Sequence, residues 1–158
     1  MGTYNVAQIC ENGHVMTAYL NSYPEFAKKF CDQCGAPTLS KCPQCGADIQ
    51  GKYQGDAISF DPYDAPRFCH NCGASYPWTQ RAMDSLNSLA ELTEKLSPKE
   101  RDQLRSAIDD LVRDTPRTQA AIATLKVLAP KIGAEAWAGM RSILIEIATE
   151  SAKKGLGL

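Results

Sequence analysis

The sequence predicts an α+β protein: a small β-rich module over residues 1–78, then an α-helical bundle over residues 79–158. Three observations lead there. All seven cysteines lie at or before Cys72, in a stretch punctuated by Gly and Pro. The apolar residues of that stretch come in short runs of strand length. Beyond Tyr76-Pro77-Trp78-Thr79 no cysteine appears, and apolar residues recur with helical spacing. A length of 158 residues, 44% hydrophobic and 22% charged, accommodates one domain or two small ones and is not that of a disordered chain.

In chain order, Tyr4 to Ile9 alternates as a strand and Val15 to Leu20 is its return strand. Between them Cys10-Glu11-Asn12-Gly13-His14 carries an Asn-Gly turn that brings a sulfur and an imidazole together. Tyr23-Pro24-Glu25-Phe26 starts a helical turn, with Phe26 and Phe30 four apart on one face. Three knuckles of identical spacing follow: Cys31-Asp32-Gln33-Cys34-Gly35, Cys42-Pro43-Gln44-Cys45-Gly46 and Cys69-His70-Asn71-Cys72-Gly73. The spacing lets two thiolates converge on one tetrahedral ion, and the following Gly permits the tight turn beneath it. Asp48 to Tyr53 and Ile58-Ser59-Phe60 read as strand-like, and the two prolines of Asp61-Pro62-Tyr63-Asp64-Ala65-Pro66 mark a loop.

Seven thiolates and His14 supply eight ligands, enough for two four-coordinate zinc sites in a double zinc ribbon. Sequential pairing joins Cys10/His14 to Cys31/Cys34 across 16 residues, and Cys42/Cys45 to Cys69/Cys72 across 23. An interleaved, RING-like pairing of first with third and second with fourth is the alternative. Both sites are expected to be structural, because a catalytic zinc keeps a position open. A redox reading of CxxC wants one motif opening a helix rather than three repeats. Iron in the all-thiolate site is chemically allowed. His70, inside its knuckle, is expected to be an exposed side chain.

Four helices are expected in the second half. Met83, Leu86, Leu89, Ala90 and Leu96 trace the first stripe. Ser97-Pro98-Lys99-Glu100 is a capping box with Pro at the first helical position, and Leu104, Ile108, Leu111 and Val112 form the face that follows. Thr115-Pro116 repeats the start signal for Ile122, Leu125 and Leu128, until Pro130 stops or kinks the helix. Trp137, Met140, Ile143, Leu144, Ile147 and Ala148 stripe the last helix, which ends at Lys153-Lys154-Gly155. Ile145, off that stripe, leaves homodimerisation through these helices open.

Charge argues against nucleic acid. Residues 1–78 carry five Lys/Arg against seven Asp/Glu, and residues 79–158 carry twelve against eleven. Zinc with four thiolates adds −2, and zinc with three thiolates and an imidazole adds −1, taking the first module from −2 to −5. Duplex-binding modules usually present a basic face. No apolar run approaches the roughly 20 residues of a membrane span. The first ten residues lack the features of a secretory signal, and Val6 stands where myristoylation requires Ser or Thr. A cytoplasmic protein without membrane attachment is expected.

With the ligands placed, the chain resembles a family of uncharacterised bacterial zinc-ribbon proteins. The resembling stretches are Gln8–Val15, Phe30–Thr38, Cys69–Gly73 through Tyr76-Pro77-Trp78-Thr79, and Leu111–Thr118. The resemblance implies zinc binding in a bacterial, intracellular setting and brings no activity. No phosphate-binding loop, HExxH, GxSxG or paired-carboxylate motif occurs, so the chain is read as a non-enzyme. The favoured expectation is an adaptor or regulator that binds a protein partner. Nucleic-acid binding by a zinc ribbon and an enzyme with an unrecognised site are the alternatives.

Overall fold

The computed structural model describes residues 1–57 and 59–158. The strand-like reading of Ile58-Ser59-Phe60 therefore falls in part outside the described residues. The chain divides into two compact units, Met1–Arg81 and Ala82–Leu158. Among the described residues it forms small antiparallel sheets in the first part and helices in the second, a mixed α+β fold.

The first unit holds β1 (Thr3–Val6), β2 (Gln8–Cys10), β3 (Val15–Thr17), β4 (Thr38–Leu39) and β5 (Gln50–Gln54). They form two antiparallel sheets, β3-β2-β4 and β1-β5. The single strand expected over Tyr4–Ile9 is thus two strands in different sheets. Ala7 is the break: it is fully buried, and its N–H donates to the Ile49 carbonyl at 2.8 Å. Pairing β1 with β5 ties the N-terminus to the segment between the second and third knuckles. Gly51 is required in β5, because a Cβ there would lie 2.3 Å from the Ala18 carbonyl oxygen. Pro24–Phe26 forms a 3-10 turn where a helical turn was expected. The core gathers Ala7, Ile9, Ile49, Tyr76 and Trp78 around the sulfurs of Cys42 and Cys69.

Helix α1 (Pro77–Glu91) begins earlier than its apolar stripe, and its first turn through Arg81 belongs to the first unit. The second unit continues with α2 (Pro98–Val112), α3 (Thr118–Leu128), α4 (Ala134–Ile147) and α5 (Glu150–Leu156). Helix α2 packs on α3, and α3 on α5. The capping box forms as expected: Ser97 Oγ accepts from the Glu100 N–H at 3.2 Å, and Glu100 Oε2 accepts from the Ser97 N–H at 2.9 Å. Helix α3 starts two residues beyond Pro116, where the Thr118 hydroxyl accepts from the Thr115 N–H and donates to the Arg113 carbonyl. Pro130 lies in a 3-10 turn, Ala129–Lys131, that prolongs α3.

The last helix is two helices rather than one. Ala148 and Thr149 are extended, the Thr149 N–H donates to the Leu111 carbonyl at 3.0 Å, and the Thr149 hydroxyl caps α5 by accepting from the Ala152 N–H. Among the described residues that break brings the α-helices to five. Leu86, Leu104, Ile108, Leu111, Leu125, Met140 and Leu144 are fully buried, whereas Trp137 on the expected stripe is half-buried. Ile145 is 45% exposed. Among the described residues no helix is long and apolar enough to cross a membrane.

Candidate metal centres

Each CxxC knuckle repeats one backbone pattern. The first cysteine's N–H donates to the carbonyl of the Ala that follows the Gly, at 2.7–2.8 Å, and the Gly N–H returns to the first cysteine's carbonyl at 2.8–2.9 Å. Gly35, Gly46 and Gly73 close these turns at φ of +74°, +76° and +74°, a region that penalises any Cβ. The Cys10 loop closes differently: Gly13, at φ +92°, stands before its second ligand, and the Cys10 N–H donates to the His14 carbonyl at 2.9 Å.

These turns bring the eight predicted ligands into two groups, Cys10/His14/Cys31/Cys34 and Cys42/Cys45/Cys69/Cys72, with ligand atoms in each lying within 4.8 Å of one another. This is the sequential pairing. The spacing can be tested against a tetrahedral ion. Metal–sulfur bonds of about 2.3 Å give S···S edges of about 3.8 Å, and a nitrogen at about 2.0–2.1 Å gives S···N edges of about 3.5 Å. The Cys42–Cys72, Cys45–Cys69 and Cys10–Cys34 sulfurs are 3.8, 3.7 and 3.7 Å apart. His14 Nδ1 lies 3.4 Å from Cys10 Sγ and 3.5 Å from Cys31 Sγ. These distances match the edges of a four-coordinate ion in both groups.

A family model described as "uncharacterized protein conserved in bacteria (DUF2321)" matches residues 3–156. The chain belongs to that family. No curated protein and no solved structure matches it.

In this DUF2321 chain the thiolates are supported by donors that knuckle spacing alone does not announce. Asn12 Nδ2 donates to Cys34 Sγ at 3.3 Å, and Asn71 Nδ2 donates to Cys45 Sγ at 3.5 Å. Each Asn sits two residues after the first cysteine of its own loop and reaches across to the second cysteine of the facing knuckle. The facing knuckles carry Gln33 and Gln44 in that slot. Backbone N–H groups of His14, Gln33 and Asn71 donate to Cys10, Cys31 and Cys69 at 3.3, 3.4 and 3.4 Å. A hydrogen bond to the charged form favours it. The Asn12 side chain, with the Ala36 N–H, thus pulls the Cys34 thiol down to about 6, and Asn71 with the Ala47 N–H lowers Cys45. The Cys72 and Asn71 N–H groups bring Cys69 to about 6, while burial pushes Cys10 up. Thiolates formed at neutral pH are the state a metal binds.

The first turn of α1 fastens onto these loops. Arg81 places Nη1 2.7 Å from Asn12 Oδ1 and Nη2 2.6 Å from Glu11 Oε2. The carboxamide that serves Cys34 is therefore itself held by a cation. The Trp78 indole N–H donates to the Pro66 carbonyl and the Thr79 hydroxyl to the Arg67 carbonyl, both at 2.9 Å. Trp78 stacks on Tyr76 with ring centroids 4.7 Å apart, and a Cβ on Gly13 would come within 3.1 Å of it. These contacts hold the first turn of α1 within the first unit, Met1–Arg81. Asn12 and Asn71 left a signal in the sequence, the shared slot; Arg81 left none, being 69 residues from Asn12. His70 is exposed, and Tyr63 is half-buried with its hydroxyl donating to the Gln50 carbonyl.

Proposed function

We propose that both groups hold structural zinc and that the zinc-ordered unit, a double zinc ribbon in a cytoplasmic, non-catalytic protein, presents surfaces to a protein partner. The observation that carries this reading is the completeness of the ligand sets: four protein ligands at tetrahedral spacing in each group leave no position for water or substrate. Thiolate-rich ligation favours zinc over hard cations. When bound, each ion would stabilise a unit too small to fold on its core alone, supplying roughly 10–16 kcal/mol per site. Seven unpaired thiols suit a reducing compartment.

Exposed aromatics support interaction with protein. Tyr4 and Tyr53 form an edge-to-face pair at 5.2 Å, and Tyr23 and Phe26 lie 6.0 Å apart, all four about half exposed. Phe30 is 60% exposed. Aromatic rings are enriched at the centres of protein interfaces. The charge of the first unit disfavours nucleic acid: six Lys/Arg against seven Asp/Glu give −1, and two zinc centres with seven thiolates take it to −4.

Crosslinked affinity capture from native bacterial lysate tests the reading, with the zinc-loaded chain, the chelator-stripped chain and a Phe26→Ser/Phe30→Ser variant as baits. A partner recovered by the loaded chain and lost from both others supports it. No partner, or the same proteins on all three baits, overturns it, as would salt-sensitive retention of nucleic acid alone.

A further inference from the structure

One cavity of the first unit, about 210 Å³ in volume, has Tyr4, Tyr63, Asp64, Phe68, His70 and Tyr76 in its lining, beside the start of β5. Small-molecule sites usually occupy about 300–1,000 Å³. This one is the size of a single side chain. A wall of aromatic side chains with one carboxylate suits an organic cation, since ring quadrupoles attract guanidinium and ammonium groups.

Three features fix the sign of the ligand. Neither Lys nor Arg lines the cavity. The nearest cation along β5, Lys52, is engaged at the Asp61 backbone carbonyl. Asp64 is exposed, and among the described residues its carboxylate has no hydrogen bond or ion pair, so an acceptor stands ready. Tyr76, on the cavity wall, packs in one buried cluster with the sulfur-bearing side chains of Cys42 and Cys69. Those sulfurs belong to the four-cysteine group. With zinc bound that group carries −2, so the cavity shares a wall with the most negative centre of the unit.

We propose that this cavity receives the guanidinium of an arginine side chain offered by the protein partner. The inference rests on the interaction reading above and names the chemistry of its contact. Arginine is favoured over lysine because a planar guanidinium lies against rings while giving two parallel N–H bonds to one carboxylate, which a point-like ammonium does not.

The test titrates the zinc-loaded, 15N-labelled full chain with Nα-acetyl-arginine-N-methylamide. The citrulline analogue is the neutral isostere, and the lysine and trimethyl-lysine analogues are the competing cations. The expected result is saturable amide shifts at Gly51, Asp64 and His70 with arginine, none with citrulline, and weaker binding of both lysine forms. Asp64→Asn should weaken arginine binding by about tenfold, as loss of a charge-assisted pair implies. Tyr4→Leu, at an exposed ring, should also weaken it while leaving the remaining spectrum unchanged. No saturable shift, equal response to citrulline, tighter binding of trimethyl-lysine, or an unaffected Asp64→Asn variant overturns the proposal. Capturing the same partner with wild type and Asp64→Asn, alongside no arginine binding, overturns the cavity assignment and leaves the interaction reading intact. Arginine binding with no captured partner overturns the interaction reading, and with it the partner as the source of the arginine, while the cavity's preference for guanidinium stands.

Discussion

Replacing Asn12 by Ala tests how the first centre's ligands are held. The substitution removes the Nδ2 donor 3.3 Å from Cys34 and one of the two anchors of Arg81, whose bond to Glu11 remains. Deleting a hydrogen-bond partner of a metal ligand costs about 10–100-fold in affinity. The lower end applies here, because Cys34 is exposed to replacement water and keeps the Ala36 N–H. The expected loss is about tenfold in zinc affinity, confined to the Cys10/His14/Cys31/Cys34 centre. The pH effect has a definite sign. Asn12 is the largest cause of the depressed Cys34 pKa, so without it the thiol keeps its proton to higher pH, and acid release of zinc from that centre moves upward. Asn71→Ala should cost the second centre less, since its donor lies 3.5 Å from Cys45 and, among the described residues, no cation holds it. Competition with a chromophoric chelator measures the affinities, and cobalt substitution separates the three-sulfur, one-nitrogen spectrum from the four-sulfur one. A first-centre affinity unchanged to within about twofold, or equal loss at both centres, refutes the assignment of Asn12 as a support for Cys34.

Gly13→Ala should destabilise the first unit by about 1–2 kcal/mol from its φ of +92°, plus a clash with Trp78, and should lower zinc occupancy of the first centre. Gly35→Ala, at φ +74° with nothing within 4 Å, should show the conformational cost alone in the same chelator titration. Thr149→Ala removes the cap of α5 and should lower stability by about 1 kcal/mol, read as a lower denaturation midpoint with unchanged slope. Stripping zinc with a strong chelator should shift Trp78 emission and leave Trp137 emission and most far-UV helical signal in place, with single Trp→Phe variants assigning the bands. Cooperative loss of α2–α5 on chelation would contradict independence of the two units.

The metal groups were legible because knuckle turns are local: a CxxC followed by Gly dictates its own backbone, and intervals of 16 and 23 residues favour sequential pairing. Caps are equally local, and Ser97-Pro98-Lys99-Glu100 reads directly. What sequence left dark depends on long-range competition for hydrogen bonds. Tyr4–Ile9 has the alternation of one strand, but the Ile49 carbonyl takes the Ala7 N–H and divides it. The apolar stripe runs unbroken from Trp137 to Ala148, but the Leu111 carbonyl, from another helix, accepts from the Thr149 N–H where the chain is extended and Thr149 caps α5. Thr149-Glu150 was a readable start signal that the stripe overrode. Arg81 lies on a helix with no cue to its partners, because Glu11 and Asn12 approach it only through the folded loops.

Metal content of the native chain, purified without added metal, tests the central claim most directly. Native mass spectrometry should find two zinc ions per chain, with Cys42→Ser or Cys69→Ser losing one and retaining the ion bound through His14. Iron in place of zinc, a single ion, or loss of the His14-bound ion in the Cys42→Ser variant would contradict two independent structural zinc centres.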